Sequence, residues 1–182
     1  MRPSLLATLP LLATLAGGCT VDTNAPTTIQ LRTLDFNYFA CQVQPVTAAR
    51  CSMVACHGQA DHAFRIYMPG KLRIDTTPTL QARDVALTLD EATANFASMR
   101  GLAAAQDPTE DSPLLRKPLA HDQGGGEHVG GVLFHDPNDV GYQTIKAWLD
   151  GATCSSDVTL PDGSKQNCTR TDGCALTDSW VM

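Results

Sequence analysis

The 182-residue chain is poor in aromatic side chains, which make up 5% of it. Aromatics bury the most area per residue, so a core built from this chain alone is modest and leaves room for something else to fill it. Cations are scarce too. Thirteen Lys and Arg stand against nineteen Asp and Glu, a formal net charge of −6, which argues against a nucleic-acid partner held through phosphates. Long apolar runs are also missing near the start: the stretch from Leu5 to Leu15 falls short of the roughly 20 residues a spanning helix needs. What remains after these absences is a chain with room for one domain and an unusual number of cysteines.

The Leu5–Leu15 stretch follows a single cation, Arg2, and leads through the small residues Ala16, Gly17 and Gly18 to Cys19. That pattern predicts an export signal over residues 1–18. Small residues ending at a cysteine resemble the lipobox of bacterial lipoproteins, although Ala16 stands where that motif prefers Leu. The resemblance implies that residues 1–18 are removed as a signal peptide and that Cys19 is acylated and anchors the protein to a membrane. Thr20, in place of an acidic residue, resembles lipoproteins sent to the outer membrane of the cell envelope, on its periplasmic or surface side. An ordinary secretory signal would instead leave Cys19 as a thiol. Loss of the leader removes Arg2 and no acidic residue, so the remaining chain is more acidic still.

Seven cysteines is an odd number for an exported chain. Lipid at Cys19 accounts for one, and a motif containing Cys51 and Cys56 accounts for two. Cys41, Cys154, Cys168 and Cys174 then form an even set that can make two disulfides in an oxidising compartment.

The motif reads Cys51-Ser-Met-Val-Ala-Cys56-His57-Gly58. Covalent haem attachment calls for two thiols that add to the vinyl groups at the porphyrin edge, with an imidazole beside them that reaches the iron. The usual spacing is C-x-x-C-H; here four residues separate the cysteines. A regular helix cannot carry both sulfurs to one edge across that distance, so part of Ser52 to Ala55 is expected to bulge outward. The expectation is one covalent haem c on Cys51 and Cys56, with His57 as an iron ligand. A disulfide and a zinc site stay open as alternatives. Zinc is served poorly by adjacent Cys56 and His57, whose side chains diverge, and no C-x-x-C partner exists elsewhere.

Along the chain, residues 19–34 read as a lipidated N-terminus and tether. Asp35 can cap a helix with apolar residues at Phe36, Phe39, Val43 and Val46, and Pro45 predicts that this helix kinks or starts there. The stretch from Phe64 to Asp75 alternates around Pro69-Gly70, which predicts extended segments and a turn. Asp90 to Arg100, closed by Gly101, predicts a short helix. Five glycines between Gly124 and Gly131 surround Glu127-His128-Val129 and predict a loop. Asp139 to Asp150 places Tyr142, Ile145, Trp148 and Leu149 on one face of a final helix, ending at Gly151. Residues 153–182, with Pro161-Asp162-Gly163 and three of the cysteines nearby, read as a disulfide-stabilised extension.

Taken together, Val43-Gln-Pro-Val46, the C…C-H-G motif, Ser112-Pro-Leu-Leu-Arg-Lys-Pro-Leu119, the glycine-rich loop and Trp148-Leu-Asp-Gly-Ala152 resemble the small cytochrome c domains of the planctomycete type. The resemblance covers roughly residues 36 to 152 and rests on short motifs. It implies an all-α, cytochrome c-like domain over 35–152, about three to four short helices around a covalent haem, with an irregular disulfide-rich tail. It also implies that the first and last helices cross, with Phe39 against Trp148, which favours the pairs Cys41–Cys154 and Cys168–Cys174. Where those domains carry a distal M-P-P-x-G, this chain has Glu127-His-Val-Gly-Gly131, so His128 stands in the methionine's place. That implies iron held by His57 and His128, at a lower potential than a His/Met pair.

Met68 and Met99 compete for the sixth position, His121 and His135 flank the loop, and His62 reads as surface. Arg65, Lys71 and Arg73 read as partners for haem propionates or as solvated surface. The function implied is electron transfer by a lipid-anchored monohaem cytochrome, not an enzyme, with membrane contact through the lipid. Its redox partner is unidentified, and the acidic surface suits a basic one. Two other classes stay open: a haem protein with an open sixth site, peroxidase-like or gas-sensing, and a haem-free, disulfide-stabilised surface lipoprotein serving as an interaction module.

Overall fold

Asp35 opens the first helix, its carboxylate accepting from the Tyr38 amide at 2.6 Å and so satisfying one of the donors that every helix start leaves over. In this computed structural model, which describes residues 32–78, 85–103, 108–154, 158–159, 161–163 and 165–166, α1 (Phe36–Tyr38) runs into a π-helical turn, Phe39–Val43, and on into α2 (Gln44–Cys51). Pro45 accounts for the turn. It has no N–H to give the Cys41 carbonyl, and its ring would crowd that oxygen. Widening the preceding turn, with the Gln44 amide reaching back to Phe39, lets the helix pass through proline. The expected restart is met: α2 begins at Gln44 with Pro45 in its first turn, joined to α1 through the π-turn. The expected signal segment and lipidated Cys19, most of the expected tether, Cys168 and Cys174 lie outside the described residues.

α3 (Leu89–Leu102) starts with a capping box: the Thr88 hydroxyl accepts from the Glu91 amide, and the Glu91 carboxylate accepts from the Thr88 amide. It runs slightly past both predicted ends. After the single turn α4 (Pro113–Arg116), the final helix α5 (Val140–Leu149) is capped by Asp139, which accepts from the Gly141 and Tyr142 amides at 2.7 and 3.2 Å.

The few aromatics are concentrated where these helices meet. Phe39 packs on Trp148 with ring centroids 5.3 Å apart, and Phe96 from α3 meets both rings edge-on, at 5.4 and 5.9 Å. Such pairs contribute about 0.5–1.5 kcal/mol each beyond area burial. The Trp148 indole donates to the Asp35 carbonyl at 3.0 Å, so no polar atom is stranded in the contact. The first helical stretch and α5 are thereby joined, as the crossing of first and last helices required.

Between α2 and α3 the Pro69-Gly70 turn forms, with the Met68 amide bonded to the Leu72 carbonyl at 3.0 Å. The flanking segments are irregular and not strands. Their backbone is satisfied by a side chain instead: Asn95 accepts from the Tyr67 amide at 2.7 Å and donates to the Tyr67 carbonyl at 2.9 Å. In the tail, β1 (Val158–Thr159) and β2 (Lys165–Gln166) pair antiparallel around the predicted Pro161–Gly163 turn. The described residues are thus helix-rich, with one two-residue ladder, compatible with an all-α fold.

Cys41 is disulfide-bonded.

Candidate functional site

α2 delivers Cys51 at its last residue, and the chain then folds back on itself. The His57 amide bonds to the Cys51 carbonyl at 3.1 Å, and the Cys56 and Gly58 amides bond to the Met53 carbonyl at 2.8 and 3.0 Å. Residues 52–56 are pinched into a loop whose base brings Cys51, Cys56 and His57 together. Met53 and Val54 are pushed into solvent, 57% and 66% exposed, which is the bulge the four-residue spacing required. A Cβ at Gly58 would lie 2.2 Å from the Ser52 carbonyl oxygen, so the loop closes only over glycine.

Cys51 and Cys56 are free thiols. Burial pushes the Cys51 thiol up to about 11, with Cys56 adding to the rise and the Arg50 charge opposing it. At neutral pH Cys51 is therefore a protonated thiol and not a thiolate.

His57 is fixed on several sides. Its Nδ1 bonds to the Phe64 carbonyl at 2.8 Å, its own carbonyl accepts from the Ile66 amide at 2.7 Å, and its ring meets those of Phe64 and His62 edge-on at 4.5 and 4.6 Å. Burial lowers its pKa, the Phe64 carbonyl opposes, and His62 and His128 push further down, leaving it below the usual histidine value. A neutral imidazole is the form that binds metal. On the opposite side, His128 Nδ1 bonds to the Gly131 carbonyl at 2.8 Å. With Nδ1 engaged on both residues, Nε2 is the nitrogen each has left for a metal.

The two imidazole centroids are 6.2 Å apart, with their planes at 23°. Two ring nitrogens each about 2.0–2.1 Å from a shared metal put their ring centroids about 6 Å apart. Both histidines and both thiols line one cavity of about 420 Å³, within the usual range for small-molecule and cofactor pockets. Its walls are largely apolar, with Met99 and Leu102 from α3, Leu114 from α4 and Ile145 from α5. Among the described residues, no group of three or more His, Cys, Asp or Glu side chains gathers as a metal cluster.

The other sequence candidates divide. Met99, 1% exposed, lines the cavity. Met68 does not; its sulfur accepts from the Ser52 hydroxyl at 2.9 Å. His121 and His135 are exposed and away from the lining, while exposed His62 reaches the cavity beside His57. Arg73 is neither a cavity residue nor surface: it is buried in a two-pronged ion pair with Glu91, 2.8 Å on each prong. Arg65 donates to the Ala60 carbonyl at 2.7 Å, and Lys71 to the Ser52 hydroxyl at 3.3 Å. The lysine or arginine that does line the cavity is Lys117, which sequence reasoning passed over although it lies within the quoted Ser112–Leu119 motif. The two carbonyls that orient the histidines, on Phe64 and Gly131, were also unanticipated, because a backbone acceptor carries no residue-type signal. No protein-family model matches the chain, and neither a curated protein nor a solved structure does.

Proposed function

We propose that the chain is a monohaem c-type cytochrome with a cytochrome c-like fold, carrying electrons in the cell envelope. Cys51 and Cys56 would hold haem c through two thioethers, and His57 and His128 would be its axial ligands. The observation that carries this reading is the convergence of both thiols and both imidazoles on one largely apolar cavity, with ring centroids 6.2 Å apart, a separation compatible with one shared metal. The bound haem would supply the one-electron chemistry of its iron.

The chain's residues do the rest. Cys51 is kept as a thiol, the form whose S–H adds across a vinyl group, sulfur to one carbon and hydrogen to the other, with no change in redox state. The pinched loop presents Cys56 beside it. Phe64 and Gly131 orient the two imidazoles, and the apolar walls exclude water, which limits the reorganisation that accompanies a change of charge. With both His57 and His128 on the iron, no position would be open for substrate in the resting state, which supports the role of a carrier. The Leu5–Leu15 stretch and Cys19 support a lipid anchor at the outer membrane, and the acidic balance suits a basic redox partner.

The test is expression with haem-maturation machinery, followed by a pyridine haemochrome assay and mass measurement. One haem per chain that resists acid extraction is expected, and the double variant C51A/C56A should retain none covalently. Mature protein with no haem increment, or with Cys51 joined to Cys56, overturns the reading. His128→Met should raise the midpoint potential; an unchanged potential removes His128 from the iron.

A further inference from the structure

We infer that His128 is a displaceable ligand: the flap Glu127–Val132 withdraws it, and a small neutral diatomic molecule such as carbon monoxide takes its position. This rests on the haem reading above. The segment on either side of the flap is tied down. The Gly126 amide bonds to the Arg116 carbonyl at 2.8 Å, and the Leu133 and Phe134 amides bond to the Pro118 carbonyl at 2.9 and 3.0 Å. Between those anchors, among the described residues, the flap's hydrogen bonds are its own: Gly131 amide to His128 carbonyl at 2.9 Å, and His128 Nδ1 to Gly131 carbonyl.

The flap can therefore move as a unit, its internal turn intact, without breaking a hydrogen bond to the body of the protein. Gly131, at φ 81°, supplies a pivot no other residue adopts cheaply. Val129 is fully exposed and Val132 39% exposed, so neither buries its side chain as an anchor. Withdrawing His57 would instead break its bonds to Cys51, Phe64 and Ile66. Of the two axial ligands, His128 is the one the fold lets go. A neutral ligand suits the largely apolar lining, which includes Leu114, Leu133 and Ile145 beside Lys117, because an uncharged diatomic gives up little hydration on entering. The exchange is a substitution: the imidazole nitrogen leaves one coordination position and the diatomic occupies it, with no electron gained or lost.

The experiment uses the reduced, haem-loaded protein and follows its absorption spectrum under carbon monoxide. An open state populated at about 0.1–10% lowers apparent affinity in proportion, so H128A should bind carbon monoxide about 10–1000-fold more tightly than the wild type. In the wild type the observed rate should level off as carbon monoxide rises, limited by departure of the imidazole; in H128A it should not. Gly130→Ala, whose added Cβ would sit 3.0 Å from His128 Cε1, should fall between the two. Haem-loaded wild type that stays unliganded under saturating carbon monoxide, while H128A binds, overturns the exchange and leaves the cofactor reading standing. Equal affinities and rates in the two overturn it as well. A haem-free product of the haemochrome assay sinks both readings together.

Discussion

His57 and His128 line one cavity, yet the chain holds them by opposite means. His57 sits at the base of a closed loop, and the segment that follows it is stitched to α3 by the Tyr67–Asn95 pair and then by Arg73. The Arg73 guanidinium grips the Glu91 carboxylate at two points and donates to the Val85 and Ala86 carbonyls at 3.0 and 2.9 Å; the same carboxylate accepts from the Ile74 and Thr88 amides at 2.9 Å each. His128 rides on a six-residue flap tied only at its ends. The difference teaches where this fold is rigid: the side carrying the thiols is over-determined, and the opposite side is left adjustable, as a site needing one fixed and one exchangeable position would be.

Four substitutions test that contrast. Glu91→Ala should have the largest effect, because it leaves the Arg73 charge buried without its partner and removes half of the capping box; a loss of about 3–5 kcal/mol is expected in urea unfolding. The same pair sets a pH dependence. Burial alone would raise the Glu91 carboxyl, but Arg73 and the Thr88 and Ile74 amides outweigh it and hold it below the usual carboxylate range. Its contribution is therefore fully present above the unfolded value of about 4.3 and is lost as pH falls through the lower folded value. Wild-type stability should decline through that window, and the decline should be shallower in E91A.

Gly58→Ala comes next, at about 1–3 kcal/mol from overpacking against the Ser52 carbonyl, with a parallel fall in haem yield. If haem incorporates normally in G58A, the closed loop is not what positions the cysteines. Asp139→Ala removes the α5 cap and the 2.8 Å contact with Arg50, and should cost about 1–2 kcal/mol by the same unfolding measurement. Val129→Ala, on the flap, should stay within about 0.5 kcal/mol. A V129A loss comparable to that of E91A would show the flap to be as firmly held as the opposite wall, and the contrast would fail.

Much of this was legible before the structure. Asp35 and Asp139 announced their helices because a cap acts within one turn of the residue that makes it. The bulge between Cys51 and Cys56 followed from helix geometry alone, and the glycines around His128 could only be a loop. The role of Arg73 was hidden. A cation in an irregular stretch reads as surface, and the carboxylate that buries it lies on the next helix, where no local pattern links the two. Lys117 at the cavity was missed for the same reason, and the π-turn was missed because proline's demand can be met by a kink, a restart or a widened turn.

By itself the sequence determined what depends on neighbours along the chain: where helices begin, which residues must bulge, where the backbone must turn, and that two thiols and an imidazole stand together. Only the tertiary structure decided that His128 lines the same cavity as His57, with the rings 6.2 Å apart, and that Arg73 pairs with Glu91. Those outcomes depend on distances between segments far apart in the chain, and such distances are set by how helices pack and not by the order of residues.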